Sequence, residues 1–173
     1  KRLSMEPMQL RDSIIEQIFL FQKIAHEFNT HVHHIKLHGA LYNLAAVDVS
    51  IAEIVMEALQ KTKHQGKVYA PFRSVLERVA RPKYEVTREA FIDRTYQNDL
   101  SLTPRNSENA LISNPEKAWK QMERILLHNQ VETIQGVVVD LKAETFCIHG
   151  DTPTALETVK FIHEKLKHVS TTD

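Results

Sequence analysis

The chain has 173 residues, 42% apolar and 25% charged, with 22 basic and 22 acidic residues and a formal charge of zero. That size fits one domain with a real core, and balanced charge argues against a nucleic-acid partner, whose affinity rests on excess Lys and Arg. A single cysteine, Cys147, excludes an intrachain disulfide and fits a reducing, cytoplasmic compartment; no apolar run reaches the ~18 residues of a membrane span.

The opening "KRLSMEPMQLRDS" lacks the apolar core of a secretory signal. It starts without methionine, in polar residues just before a helix, and reads as a fragment or a processed form. Pro7 to Phe28 is that helix, with Leu10, Ile14, Ile18, Phe21 and Ala25 on one face. Val32 to Lys36 reads as a short strand that ends in "IKLHGALYN", after which a helical pattern follows. "DVSIAEIVMEALQKTK" is a helix capped by Asp48 or Ser50, with Ile51, Ile54, Val55, Ala58 and Leu59 as its apolar stripe. "KVYA" is a strand stopped by Pro71, Ser74 to Ala80 a short helix, and Lys83 to Phe91 a third strand. Residues 97–113 are polar and aperiodic, as functional loops often are. Asn114-Pro115 then opens a helix running to about His128, with Ala118, Met122, Ile125 and Leu126 facing in. "VETIQGVVVDL" predicts two short strands around Gln135-Gly136, "TFCIHG" another strand, and "TPTALETVKFIHEKLKHV" a last helix facing in with Leu156, Val159, Ile162 and Leu166. Alternating strands and helices predict a parallel α/β fold whose function sits beyond the strands' C-terminal ends.

Three segments place polar groups there. In "IKLHGALYN", Lys36 and His38 share one side of an extended chain, and Gly39 permits a turn or a close approach. A cation beside an imidazole suits an anion or a proton transfer; a satisfied core or loop histidine is the plainer account. In "CIHGDTP", Cys147 and His149 share a face, Gly150 turns the chain, and the helix N-terminus after them offers free N–H groups to an anion. Asp151 as a helix cap and Pro153 as its opening residue are the plainer account. In "REAFIDRTY", Glu89, Asp93, Arg94 and Tyr96 crowd a strand end. The plain account is an Asp–Arg surface pair; the functional one is a carboxylate for acid–base work and a guanidinium for an anion. "HVHH" (His31 to His34) offers metal ligands but lies at the wrong end of its strand. Cys147 reads as a small buried apolar residue. The chain contains no phosphate-binding P-loop, HExxH, CxxC or EF-hand pattern.

In order, "IKLHGALYN", "REAFIDRTYQNDLSLTPR", "ALISNPEKAWKQ" and "ETFCIHGDTPTAL" resemble the LamB/YcsF family over essentially the whole chain. The resemblance implies a parallel β/α barrel of the glycoside hydrolase/deacetylase type, incomplete in this chain because the family's N-terminal motifs are missing. It also implies the A subunit of an ATP-dependent 5-oxoprolinase, which opens 5-oxo-L-proline to L-glutamate. Its pattern falls on Lys36, His38, Gly39, Tyr42 and Asn43, on Glu89, Phe91, Asp93, Arg94, Tyr96 and Arg105, and on His149, Gly150 and Asp151. Leu37 stands where the family has proline, Ile92 where it has a small residue, and Asn109 where it has glycine.

The expected partners are therefore 5-oxoproline, ATP with Mg2+, and the B and C subunits, with no membrane, no nucleic acid and no tightly bound cofactor. An open barrel edge would also favour self-association into a homo-oligomer. The expected catalytic residues are His38, Asp93 and Glu89. Lys36, Asn43, Arg94, Arg105, His149, Gly150 and Asp151 are expected to bind substrate. Two other readings stay open. One is a metal-dependent deacetylase-like hydrolase with His38 and His149 as ligands. The other is a truncated, non-catalytic chain that only binds partner subunits.

Overall fold

The computed structural model describes residues 5–169; the first four residues of the opening polar stretch lie outside it. Six helices and six strands follow one another in it as α1 (Pro7–Glu27), β1 (His34–Lys36), α2 (Gly39–Val47), α3 (Val49–Lys61), β2 (Lys67–Pro71), α4 (Val75–Ala80), β3 (Val86–Phe91), α5 (Pro115–His128), β4 (Gln130–Glu132), β5 (Val138–Asp140), β6 (Thr145–Cys147) and α6 (Ala155–Val169). The main sheet has the order β1-β2-β3-β6, and β4 and β5 make a separate pair. Among the described residues no single helix is long and apolar enough to cross a membrane. The chain divides into two compact units, Lys1–Arg88 and Glu89–Asp173, with the boundary inside β3.

In the first unit β1 and β2 are parallel, with Ile35 opposite Val68. Helix α1 buries Ile14 and Ile18, and Arg11 pairs with Glu57 of α3 at 3.1 Å. The stripe expected to continue through Phe21 does not, because Phe21 is 59% exposed. Gln22 already bonds the carbonyl of Thr62, the C-cap of α3, so α3 ends at this level and leaves Phe21 uncovered. Helix α2 takes up the helical pattern that follows "IKLHGALYN". It starts at Gly39, whose φ of +59° suits glycine, and stops at Asp48. Asp48 also caps α3, its carboxylate accepting from the Ile51 N–H at 3.2 Å. The predicted stripe of α3 buries Val55, Ala58 and Leu59, joined by Ala52 and Met56. Gly66 packs where a Cβ would lie 2.5 Å from the His33 carbonyl oxygen. Ser74 caps α4 through the Glu77 N–H at 3.0 Å.

In the second unit β3 and β6 run parallel, with Phe91 opposite Cys147. The core gathers Ile92, Trp119, Met122 and Ile162, with Phe146, Ile148, Phe161 and Leu166 against them. Helix α5 begins as expected, Asn114 accepting from the Lys117 N–H at 3.0 Å with Pro115 behind it. Leu126, expected inside, is exposed because Ala118, Met122 and Ile125 centre the buried face. In α6, Leu156 and Val159 are likewise exposed. The inward row is Thr158, Phe161, Ile162 and Leu166, and a threonine in that row is invisible to an apolar count. Gly136, at φ +79°, turns β4 into β5.

Candidate functional site

Strand β3 carries its buried character past its end. Glu89, Asp93 and Arg94 are 5%, 2% and 5% exposed, so Asp93 and Arg94 are not the surface pair that the plain account expected. Asp93 and Arg94 have different partners. Both oxygens of Asp93 face Nδ1 of His149, at 2.9 and 3.1 Å, and one also accepts the His149 backbone N–H at 2.7 Å. The ring of Phe91 stacks on the imidazole with 5.2 Å between centroids and 14° between planes. Nδ1 facing a carboxylate holds the proton there, which leaves Nε2 as the exchanging atom.

Arg94 donates through Nη2 to the carbonyl of Thr103 at 2.5 Å. Its Nε is buried and has no hydrogen-bond partner among the described residues. Burial, and then the nearby Arg105 guanidinium, lower its pKa, while Asp93 and Asp151 oppose this. A buried cation with an unused donor is poised for an anionic oxygen. Tyr96 is buried beside this turn, its hydroxyl accepting the Phe91 N–H at 2.7 Å. Burial pushes its pKa far up, with Glu89 and Asp93 adding to the effect, so it stays a phenol.

The irregular segment is ordered by contacts within this unit. Short antiparallel bridges join Arg94 to Leu111 and Tyr96 to Leu102, and the Ile112 N–H returns to the Asp93 carbonyl at 2.9 Å. Arg105 reaches Asp151 at 2.6 Å, and this exposed pair holds the Asp151 carboxyl below its ordinary range. Asp151 therefore does not cap the last helix and Pro153 does not open it, since α6 begins only at Ala155 after a turn. Gly150 lies in that turn with open space where a Cβ would sit. Cys147 is half-buried in β6.

In the first unit, Lys36 ends β1 half-buried, and Leu37 turns inward at 8% exposure. His38 is exposed with extended backbone at the N-cap of α2, and its side chain makes no capping bond. Tyr42 is buried on α2 and Asn43 is exposed. In the "HVHH" run, His33 and His34 bring their Nδ1 atoms to 3.1 Å and His34 stacks on Tyr69. Among the described residues no group of three or more His, Cys, Asp or Glu side chains converges as a metal set would.

Two contributors escape a reading of the sequence. Thr103 acts through its carbonyl, which no side-chain pattern reveals. Gln121 of α5 donates to the carbonyls of Phe91 and Arg94 at 2.8 and 2.9 Å. The available signal is a polar residue one position before Met122, beside the apolar stripe.

These elements define an α/β protein on a parallel sheet, with an Asp–His pair and a buried arginine beyond one strand end. The LamB/YcsF family model matches residues 1–172, and the chain belongs to that family. The chain is 33% identical over 168 residues to a Coprothermobacter proteolyticus protein named as the A subunit of 5-oxoprolinase, covering 96% of this chain and 64% of that one. It is 34% identical over 167 residues to the protein of the same name from Oceanobacillus iheyensis, covering 96% and 65%. The chain thus spans a little under two thirds of these relatives. The crystal structure of the lactam utilization protein from Thermus thermophilus superposes with a TM-score of 0.88 at 28% identity, covering 98% of this chain and 68% of that one. That likeness bears out the parallel α/β fold expected from the sequence.

Proposed function

We propose that the chain acts within the A subunit of an ATP-dependent 5-oxoprolinase that opens 5-oxo-L-proline to L-glutamate, working with its other subunits. Family membership and the relatives' names support this reading. The observation that carries it is the pairing of buried Asp93 with half-buried His149, next to the buried Arg94.

A five-membered lactam is a stable amide. Phosphoryl transfer from ATP to its oxygen makes the ring carbon a better electrophile. Water then adds, the ring C–N bond breaks and the nitrogen takes a proton, which leaves an acyl phosphate; a second water hydrolyses it to the carboxylate and phosphate. Negative charge develops on oxygen, and a preorganised cation in a poorly solvated place stabilises it most. Arg94 fills that role through its unused Nε. His149, oriented by Asp93, moves the proton through Nε2. Glu89 is proposed as a further catalytic group, and Arg105 and Asp151 as substrate-binding groups. Lys36 and His38 are proposed as a cation and a proton carrier for the reaction, and each is tested by its alanine variant.

The test is ATP-dependent glutamate formation by the full-length, assembled enzyme. Asp93→Asn should lower kcat by about 100-fold or more, the usual scale of a positioned acid–base group. Unchanged turnover would overturn the assignment.

A further inference from the structure

The peptide group of Phe91 is held by two side chains. Its N–H donates to Tyr96 at 2.7 Å, and its carbonyl accepts from Gln121 Nε2 at 2.8 Å. The same Nε2 donates to the carbonyl of Arg94 at 2.9 Å. A primary amide has two N–H donors, so these two carbonyls saturate it. One atom on α5 therefore spans the turn that contains Asp93.

We infer that Gln121 is a positioning residue for the Asp93–His149 pair. The inference rests on reading that pair as the proton-transfer group. Gln121 bonds neither member directly. Through the Phe91 carbonyl it fixes the residue whose ring backs His149. Through the Arg94 carbonyl it fixes the chain just after Asp93. The helix beneath is itself immobilised by buried Ala118, Met122 and Ile125. Methionine has similar length but no donor. Ionised glutamate would set a carboxylate against two carbonyl oxygens. Either change releases the turn, and a displacement near 1 Å costs about 100-fold in rate.

The experiment uses Gln121→Met and Gln121→Glu in the full-length, assembled enzyme. Three quantities are read: kcat and KM for glutamate formation, the urea midpoint, and the downfield proton resonance of the His149 Nδ1–H. The resonance is identified by its loss in His149→Asn. Both variants should lose about 10- to 100-fold in kcat with KM nearly constant, and should shift or broaden the resonance. A lower urea midpoint with wild-type resonance and wild-type kcat would mean ordinary structural support and would overturn the inference. Failure of both variants to fold would overturn it as well. If His149→Asn kept full activity, the proton-transfer reading would fall. The resonance would still decide whether Gln121 holds the pair.

Discussion

Asn109 lies in the left-handed region at φ +57°, at the position where the family resemblance expects glycine. Side chains pay a steric cost there that glycine avoids, and asparagine pays less than most. The Thr95 hydroxyl bonds the Asn109 carbonyl at 3.0 Å, a contact that glycine keeps. Asn109→Gly should therefore stabilise the chain by about 0.5 kcal/mol, read as a higher urea midpoint; a lower midpoint would show that the asparagine side chain has a use of its own. The site residues differ in how far they can be read from sequence. Asp93, Arg94 and His149 are legible because strand-end charges and a histidine before glycine are unusual neighbours. Their pairing is not legible. Asp93 and Arg94 adjoin in sequence, yet one turns to a histidine 56 positions away and the other to a carbonyl. Sequence adjacency says little about which way two side chains point once both are buried.

Helix α4 has only six residues, too few to be stable by propensity alone. Glu77 holds its first turn. Its carboxylate accepts the Arg73 N–H at 2.6 Å, Arg81 at 2.6 Å and Arg88 at 2.7 Å. Burial works to raise its pKa, but the bonds from Arg88, Arg81 and the Arg73 N–H together hold it below the ordinary 4.5. A carboxyl with a depressed folded pKa contributes stability that is complete above its unfolded pKa and lost as pH falls through the folded one. Glu77→Gln should thus cost about 1.5–3 kcal/mol at pH 7, the range for hydrogen bonds to a charged group. The gap from wild type should close in acid below the ordinary value of 4.5. Denaturation curves at several pH values read it directly, and a gap that persisted unchanged into strong acid would contradict the account. At this scale the sequence is a good guide to helix starts, because Asp48, Ser74 and Asn114 cap by local chemistry. It is a poorer guide to which face is buried. Phe21, Leu126, Leu156 and Val159 are apolar and exposed, whereas Thr158 is inside. Burial depends on what lies opposite a helix, and periodicity carries no information about that.

Across the whole chain, the Asp93–His149 pair, the Phe91 ring behind it, Arg94 and the Gln121 clamp all fall within the unit Glu89–Asp173. The parallel order of the sheet follows from alternating strands and helices, and it puts His149 just beyond β6 and Asp93 just beyond β3, its parallel neighbour. Register explains the pairing: Phe91 is opposite Cys147, so two further residues along each strand bring Asp93 and His149 together. The central claim is that these two side chains work as one unit in lactam opening. A double-mutant cycle tests it most directly, with Asp93→Asn, His149→Asn and the double variant measured for ATP-dependent glutamate formation in the full-length, assembled enzyme. Groups that act together are strongly non-additive. The account predicts that the double variant loses no more than about the larger single loss. Losses that multiply, or singles that keep wild-type turnover, would contradict it.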